Sequence, residues 1–344
     1  MRQKSLDNLR NYPYDEVVSK LCGKVSEMIY TVTFNPAIDC VMQVRDLELG
    51  HVNRAITQEF YFGGKGVNVS YVLRNLGRTS TAWGFIAGWT GAALEAALQE
   101  DGIPTGFVHL PQGNTRVNAK LKGTYVEIEG DMETAVNAGG APIDDDSLQQ
   151  FFDKLEAVQP GDFVILSGGV PKGTPKDIYA RIMAKLDGRG AKIVVDATEQ
   201  VLMQSLPYKP FLVKPNDEEL AEITGCDPLD EQALVEGARQ LHDLGAQNVL
   251  VSRGGLGSLL LDATGNLQVA PVIEGELVNS VGAGDSVVAG FVEGYVRGTE
   301  AGLDEQDAYK QAYKLAQACG SATAFSPGLA PTELVNELLA RLES

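Results

Sequence analysis

The order of strand-like and helix-like segments constrains the fold of this chain more than any other feature. Between residues 160 and 225, a short β-rich run is followed by a helical pattern three times in succession. The pairs are 163–166 with 178–186, 192–195 with 199–206, and 211–213 with 218–223. This alternation favours a parallel sheet with helices on both faces, so we predict an α/β fold.

Four other β-like runs do not fit this alternation. Residues 40–44 and 55–62 lead into a glycine-rich segment, and residues 116–122 and 125–128 resemble a hairpin with its turn at Gly123-Thr124. A few short strands of this kind can pair with one another. We therefore predict a second, small sheet.

The charge balance limits the partners of the protein. The 344 residues include 28 Lys+Arg and 46 Asp+Glu, which gives a formal net charge of −18. This charge repels nucleic acid and anionic membranes, so neither is an expected partner. A phosphorylated ligand would need a locally basic pocket, and Mg²⁺ would offset the remaining charge.

The cysteines, histidines and apolar runs exclude several other classes. Cys22, Cys40, Cys226 and Cys319 lack metal-binding spacing, and the three histidines do not form an H-E-x-x-H motif. No apolar run is long enough to span a membrane, and the polar residues 1–27 lack the core of a signal peptide. We expect a soluble, cytoplasmic protein with a polar extension at residues 1–27.

The loop Gly282-Ala283-Gly284-Asp285 precedes a predicted helix. Its glycines leave backbone N–H groups unobstructed and the helix dipole adds positive charge, so the loop suits a transferring phosphoryl group. Asp285 could then take a proton from the attacking hydroxyl. Alternatively, Asp285 caps the helix and the glycines form a turn. The loop alone does not decide between these functions.

The other polar and glycine-rich segments also follow predicted strands. They are Asp39, the loop 63–66, Ser167-Gly168, Asn216 with Glu219, and Ser252 with Gly254. The carboxyl ends of parallel strands meet at one edge of a sheet, so we expect a single site there. Neither GxxxxGK[ST] nor GxGxxG occurs, which disfavours P-loop and dinucleotide folds.

From Met28 onward, about nine-tenths of the chain resembles the phosphofructokinase B group of ribokinase-like sugar kinases. The segments IYTVTFNP (29–36), FGGKGVNV (62–69) and SATAF (321–325) are most similar to its 1-phosphofructokinase branch, which phosphorylates fructose 1-phosphate at the 6-hydroxyl with ATP. The resemblance implies a domain at 28–344. Its fold would be a three-layer α/β/α core with a mainly parallel sheet, plus a β lid from about 40–62 and 114–130.

The resemblance also implies roles around the transferring group. Asp285 would be the base, and the N–H groups of Gly282, Ala283 and Gly284 would form the anion hole. The sugar would be held by residues of the lid, the first glycine loop and a later strand end: Asp39, Gly63, Gly64, Asn68 and Ser167.

Four basic residues are candidates for the phosphate that the sugar already carries. Arg116 and Lys120 are four apart in a β-like run, so both point to one face, as a bound phosphate requires. The resemblance supports Arg116 and adds Arg54 from the lid, whereas Lys120 is inferred from spacing, with a solvated basic face as the alternative. Lys65, between glycines, is predicted to contact a phosphate.

The resemblance places the nucleotide and its metal at the later strand ends. Asn216-Asp217-Glu218-Glu219 matches an N-x-x-E motif whose Asn216 and Glu219 act on Mg²⁺ through water, and the same pair can form a helix capping box. The expected ATP contacts are Lys214, Asn216, Ser252, Gly254, Gly257 and Ser321. A K⁺ requirement is left open.

Two segments depart from the family pattern, and both affect the expected sugar specificity. Gly169 stands where serine is common, and Asp196-Ala197-Thr198-Glu199 replaces a small-residue run. Tagatose-6-phosphate kinase is an alternative function, because it uses the same machinery on the other end of a related sugar, and a catalytically silent sugar-phosphate or nucleotide sensor is an alternative of another class. A kinase of unphosphorylated sugars or nucleosides would leave the basic residues without an anion. The exposed lid predicts a homodimer.

Overall fold

A computed structural model describes residues 27–125, 128–197 and 199–343, so residues 1–26 of the predicted extension lie outside it. The strands of the described ranges are β1 (Ile29–Thr33), β2 (Ala37–Leu47), β3 (Thr57–Gly63), β4 (Thr81–Ala87), β5 (Val108–Leu110), β6 (Arg116–Tyr125), β7 (Ile128–Val136), β8 (Phe163–Ser167), β9 (Lys192–Asp196), β10 (Leu212–Val213), β11 (Asn248–Ser252), β12 (Ser258–Leu261) and β13 (Leu267–Ala270). The α-helices are α1 (Lys65–Asn75), α2 (Gly88–Glu100), α3 (Asp145–Lys154), α4 (Ile178–Leu186), α5 (Glu199–Ser205), α6 (Asp217–Thr224), α7 (Glu231–Asp243), α8 (Ala283–Glu300), α9 (Glu305–Ala324) and α10 (Thr332–Glu343).

Nine strands form one large sheet in the order β13-β12-β11-β10-β9-β8-β1-β4-β5. The strands from β11 to β5 are parallel, whereas β12 and β13 add to one edge as antiparallel strands. The predicted parallel α/β sheet is therefore confirmed. Strand β1 lies between β4 and β8, where the strand order reverses, and ligands of open α/β sheets bind at the carboxyl ends of such strands.

Alternating side chains of the central strands supply two separate cores. In β8, Val164 and Leu166 pack against helices α3–α7, while Phe163 and Ile165 pack against α1 and α8–α10. This two-residue period is that of a strand buried on both faces, and it creates three layers. None of the helices within the described ranges is long and apolar enough to cross a membrane.

The predicted small sheet is also present, in the order β3-β2-β6-β7. Its hairpin differs from the prediction, because β6 continues through Gly123-Thr124 and pairs with β7 as far as Val136, beyond the expected limit at 130. Gly123 is required by close packing rather than by a turn, since a Cβ there would lie 1.9 Å from the Val44 carbonyl oxygen. The residues between the strands, 126 and 127, are outside the described ranges.

Candidate active site

The glycine-rich loop at 282–285 forms the amino end of α8, as predicted. Gly282 precedes the helix with a φ of +82°, and a Cβ there would lie 2.4 Å from Leu329 Cδ2. The first N–H groups of a helix have no carbonyl partner in a preceding turn. Ala283 N–H donates to the Ser280 carbonyl over a long 3.3 Å, so an anion here would compete with a weak bond only.

Asp285 lies in the first turn of α8 and is only 5% exposed. Its Oδ2 accepts a hydrogen bond of 2.7 Å from Asn68 Nδ2, so the carboxylate binds a neighbouring helix rather than capping its own. Burial, and next the negative charge of Asp196, raise the pKa of Asp285 to about 7, against the opposing effects of Asn68, Lys65 and Lys214. A carboxyl group that titrates near neutral pH suits a general base.

A buried group of opposite charges adjoins this carboxylate. Asp196, at the carboxyl end of β9, is 2% exposed and lies 3.4 Å from Lys65 Nζ and 3.5 Å from Lys214 Nζ. Burial lowers the pKa of Lys65, but the carboxylates of Asp196, Asp285 and Glu219 outweigh it and raise that pKa overall. Lys65 therefore remains charged in this cluster.

Four of the five residues predicted to hold the sugar line one cavity between the small sheet and α1, whereas Ser167 does not. The cavity has a volume of about 700 Å³. Its walls include Asp39, Gly63, Gly64, Asn68 and Lys120. Asp285 is not among the lining residues, but its hydrogen-bond partner Asn68 is, so Asn68 links the cavity to Asp285.

The glycine loop before α1 is held close to β1. Gly64 has a φ of +125°, and a Cβ there would lie 2.8 Å from Thr33 Cγ2 and 3.1 Å from the backbone of Pro36. A side chain at this position would be strained and would also overlap its neighbours. Glycine therefore brings the start of α1, and with it Asn68, next to the end of β1.

The basic residues predicted to bind the sugar's phosphate do not all occupy one cavity. Lys120 lines the large cavity and forms an ion pair of 2.8 Å with Asp39. Arg116 is half-buried, donates to the Asn35 carbonyl oxygen, and lines a second cavity of about 440 Å³. Asp39 still lies close enough to raise the pKa of Arg116, although burial, the larger effect, lowers it. Arg54 is exposed in the loop between β2 and β3 and lines neither cavity.

The predicted nucleotide-side residues come together at neighbouring strand ends. Asn216 and Ser252 form a parallel bridge, and Ser252 N–H donates to the Pro215 carbonyl oxygen. A Cβ at Gly284 would lie 3.3 Å from Lys214 Nζ, so Lys214 adjoins the loop of α8. Lys214 therefore joins these strand ends to the glycine-rich loop at 282–285.

Three further predicted nucleotide contacts border this region. Gly254 begins a turn of 3₁₀ helix after β11, and Gly257 follows with a φ of +93° that brings it against the Ala270 carbonyl. Ser321 lies in α9, where a Cβ on the preceding Gly320 would lie 3.6 Å from the Ala283 carbonyl oxygen. The helix thus reaches the start of α8.

The N-x-x-E pair forms the capping box that the sequence also predicts. Asn216 Oδ1 accepts from Glu219 N–H at 2.6 Å, and Glu219 Oε2 accepts from Asn216 N–H at 2.9 Å. Among the described residues no cluster of three or more His, Cys, Asp or Glu could form a metal cage. A pair of oxygen side chains suits Mg²⁺ that keeps its waters and is completed by phosphates, so the residues present fit such an ion.

Sequence reasoning did not assign a role to Asp196, although the structure places it at the centre of the site. In the sequence, the segment 196–199 stands out only as a departure from the family pattern. A usable signal existed, because Asp196 ends a predicted strand on the edge where the other candidates meet. Ser167, its register partner on β8, is 1% exposed, and its Oγ has no hydrogen-bond partner in the part of the chain that the structure describes.

The sheet order, the separate small sheet and the buried aspartate beside a helix amino end define a kinase of the ribokinase-like class. A ribokinase from Arabidopsis thaliana shares this fold with a TM-score of 0.72, covering 92% of this chain and 99% of its own, at 19% identity. Residues 31–334 match the family model of pfkB family carbohydrate kinases. The chain belongs to this family, so it is a carbohydrate kinase, as the sequence predicted.

Two relatives with known names are similar to this chain over nearly its whole length. A 1-phosphofructokinase from Bacillus subtilis is 39% identical over 312 residues, which cover 91% of this chain and 97% of the relative. A D-tagatose-1-phosphate kinase from Bacillus licheniformis is 33% identical over 317 residues, which cover 92% and 99%. Both names specify a ketose that carries its phosphate at carbon 1.

Proposed function

We propose that this enzyme transfers the γ-phosphoryl group of ATP to the 6-hydroxyl of fructose 1-phosphate, giving fructose 1,6-bisphosphate and ADP. The observation that carries this proposal is the buried carboxylate of Asp285 beside the amino end of α8, with its pKa raised to about 7. The 39% identity to a 1-phosphofructokinase supports the choice of sugar.

In the proposed reaction, Asp285 accepts the proton of the 6-hydroxyl while that oxygen attacks the γ-phosphorus. The bond between the γ-phosphorus and the β,γ-bridging oxygen breaks, and ADP leaves. Asn68 orients the carboxylate through its 2.7 Å hydrogen bond. The amides at 282–284 stabilise the charge on the transferring group, because fixed dipoles are most effective in a site that excludes water.

The charges of the site divide between the two substrates. Lys65 and Lys214 both pair with Asp196 and would bind the transferring group. Asp39 would bind the sugar hydroxyls, with Lys120 as its ion-pair partner. Arg116 lines the second cavity but lies close enough to Asp39 for the carboxylate to affect its pKa, and from there it would bind the 1-phosphate. Mg²⁺, held through water by Asn216 and Glu219, would reduce the charge of the ATP phosphates. K⁺ is a further candidate ion.

The second candidate function is phosphorylation of tagatose 1-phosphate, because a relative at 33% identity bears that name. The two sugars differ only in the configuration at carbon 4, so both present the same 1-phosphate and 6-hydroxyl. Tagatose 6-phosphate, the alternative drawn from sequence, would be phosphorylated at the opposite end.

A substrate panel tests this proposal. The purified enzyme is assayed with ATP and four sugars: the 1-phosphates and the 6-phosphates of fructose and tagatose. We expect the highest kcat/KM with fructose 1-phosphate and a product whose new phosphate, located by ³¹P NMR, is on carbon 6. A higher kcat/KM with tagatose 1-phosphate would establish the second candidate, and absence of turnover with all four would refute both.

We further propose that the small sheet is a lid and that two lids pair in a homodimer in the cytoplasm. One face of the sheet carries an apolar row across all four strands, formed by Phe60, Cys40, Ala119 and Val136. Phe60 and Val136 are 54% and 63% exposed, which favours burial against an identical face. A monomer by light scattering at micromolar concentration would refute this pairing.

A further inference from the structure

Asp196 is the most deeply buried charge of the site, and the proposed function gives it no step. Its carboxylate contacts lysines from two different parts of the chain: Lys65 at the start of α1, and Lys214 just after β10. The first adjoins the sugar-side glycine loop, and the second adjoins Gly284. Asp196 therefore connects the two halves of the active site.

The surroundings of Asp196 are organised for a bound ligand rather than for stability alone. Leu166 and Val195 face the α3–α7 layer, so Ser167 and Asp196, the next residues of their strands, face the layer that holds α1 and α8. Ser167 Oγ is buried there, without a partner among the described residues. An unsatisfied buried hydroxyl costs free energy, which a ligand group at this position would recover.

Asp196 also determines which carboxylate Lys65 and Lys214 pair with. With Asp196 present, both ammonium groups have a fixed carboxylate partner that is not the base. Among the carboxylates that act on Lys65, Asp285 comes next after Asp196, and Lys214 also acts on Asp285, so without the charge of Asp196 both lysines would interact more strongly with Asp285. A base paired with lysine binds its proton less readily and is a weaker acceptor.

We propose that Asp196 is a positioning residue for phosphoryl transfer, which holds Lys65 and Lys214 beside the transferring group and away from Asp285. This inference rests on the proposed function, because it assigns the cations to a phosphoryl group. Asp196 does not itself touch the reacting atoms in this scheme. It keeps the two lysines preorganised, so that they stabilise the transition state without being drawn to the base.

The test compares Asp196→Asn, which removes the charge at constant shape, with Asp196→Glu, which retains it. We expect Asp196→Asn to lower kcat by about 10- to 100-fold with less than about a threefold change in KM for the sugar phosphate. On the acidic side of the pH profile of kcat (the acidic limb), the midpoint should shift to lower pH by half a unit or more. The reason is that Asp285 loses a neighbouring negative charge and interacts more strongly with the two lysines. Asp196→Glu should keep that limb within half a unit of wild type.

Asp162→Asn is the matched control. Asp162 is 4% exposed and accepts hydrogen bonds from Met28 and Gln159, but it precedes β8 at the opposite edge of the sheet. This variant should lower stability, measured by thermal unfolding, without moving the acidic limb.

A second readout does not need turnover. The carboxyl carbon of Asp285, assigned by its loss in Asp285→Asn, is titrated by ¹³C NMR in the unliganded protein. A midpoint lowered by half a unit or more in Asp196→Asn supports the proposal, and a smaller change overturns it.

A tenfold rise in the half-saturating Mg²⁺ concentration with an unmoved limb would also overturn it, since Asp196 would then act on the metal. Wild-type inactivity on every sugar phosphate would instead refute the proposed function. The NMR midpoints would still decide whether Asp196 controls the charge around Asp285.

Discussion

The sheet edge that holds Asp285 and the small sheet above it handle charge in opposite ways. At the edge, Asp285, Asp196 and Lys214 are each 5% exposed or less, and every charge has a fixed partner. On the small sheet, Lys122 and Glu133 pair at 3.1 Å in the open, with side chains 51% and 41% exposed. Buried charges of this kind shift pKa values strongly, whereas exposed pairs contribute little to stability.

This difference indicates which part of the site is preorganised before the substrate binds. The edge is assembled by nine strands and two cores, so its groups are preorganised. The small sheet contacts the rest of the molecule mainly at the ends of β2 and β3, where Ile38 and Phe62 pack near α1 and α2. We therefore expect chemistry to depend on the edge, and assembly and closure on the small sheet.

The largest effect should come from the base. Asp285→Asn is expected to lower kcat by roughly 10²–10⁴-fold, the range for loss of a general base, while calorimetry still detects binding of ATP and the sugar phosphate. The control is Asp304→Asn, because Asp304 caps α9 and asparagine caps helices equally well. That variant should retain wild-type turnover within about a factor of two.

The stability of Asp285→Asn shows whether a loss of activity comes from the missing carboxylate or from unfolding. Burial raises the pKa of Asp285 from 3.8 to about 7, so the folded state holds the protonated carboxyl more tightly than the unfolded state does. The resulting contribution to the free energy of unfolding is complete below pH 4 and is lost as the pH rises through 7. At pH 8, Asp285→Asn should therefore be more stable than wild type in urea unfolding, and the gain should shrink toward pH 4. Lower stability at pH 8 would contradict the buried, unfavourable charge.

The second effect is the pH dependence of the wild-type enzyme. The base must be ionised, so kcat should fall as the pH drops through about 7, by roughly tenfold per unit and about 100-fold at pH 5. The phosphate of the free substrate ionises near pH 6 and affects kcat/KM, so the measurement is kcat at saturation, which reports ionisation within the enzyme–substrate complex. A flat kcat between pH 5 and 8 would exclude Asp285 as the base.

The third effect probes the junction between the two regions. Gly64→Ala should destabilise the protein by about 2 kcal/mol in urea unfolding and raise the KM for the sugar phosphate, because strain and overlap displace α1. Gly77→Ala is the matched control, since Gly77 has a φ of +82° but open space around its Cβ position. Its cost should be about 1 kcal/mol without an effect on KM. Equal costs would show that close packing at Gly64 is unimportant.

The smallest effect should arise on the small sheet. Phe60→Ser is expected to raise the dissociation constant of the homodimer by about tenfold in sedimentation experiments, while monomer stability changes by less than about 0.5 kcal/mol. Tyr61→Ser is the control, because Tyr61 is 53% exposed on the same strand but points to the other face. An equal effect of both substitutions would argue against pairing through the apolar face.

The sequence predicted those features that depend on local patterns. The β-then-α order predicted the parallel sheet, and position after a predicted strand indicated Asp39 and Asp285 as site residues. Asn68 and Lys214 were implied only by the family resemblance. The prediction of a turn at Gly123 was wrong. In the sequence, a glycine required for close backbone packing cannot be distinguished from a glycine required for a turn.

The sequence alone was enough to predict the layer arrangement, the sheet edge at which the candidate site lies, and the kinds of charged residue at that edge. These features depend on strand periodicity and loop composition, which are properties of residues close together in the chain. Only the tertiary structure decided how those charges pair. It joins Asp196 to Lys65 and Lys214, Asn68 to Asp285, and Lys120 to Asp39, whereas Arg116 and Arg54 do not line the large cavity. Coulombic effects and burial depend on distances in space, and residues 131 or 217 positions apart in the chain acquire those distances only when the sheet assembles.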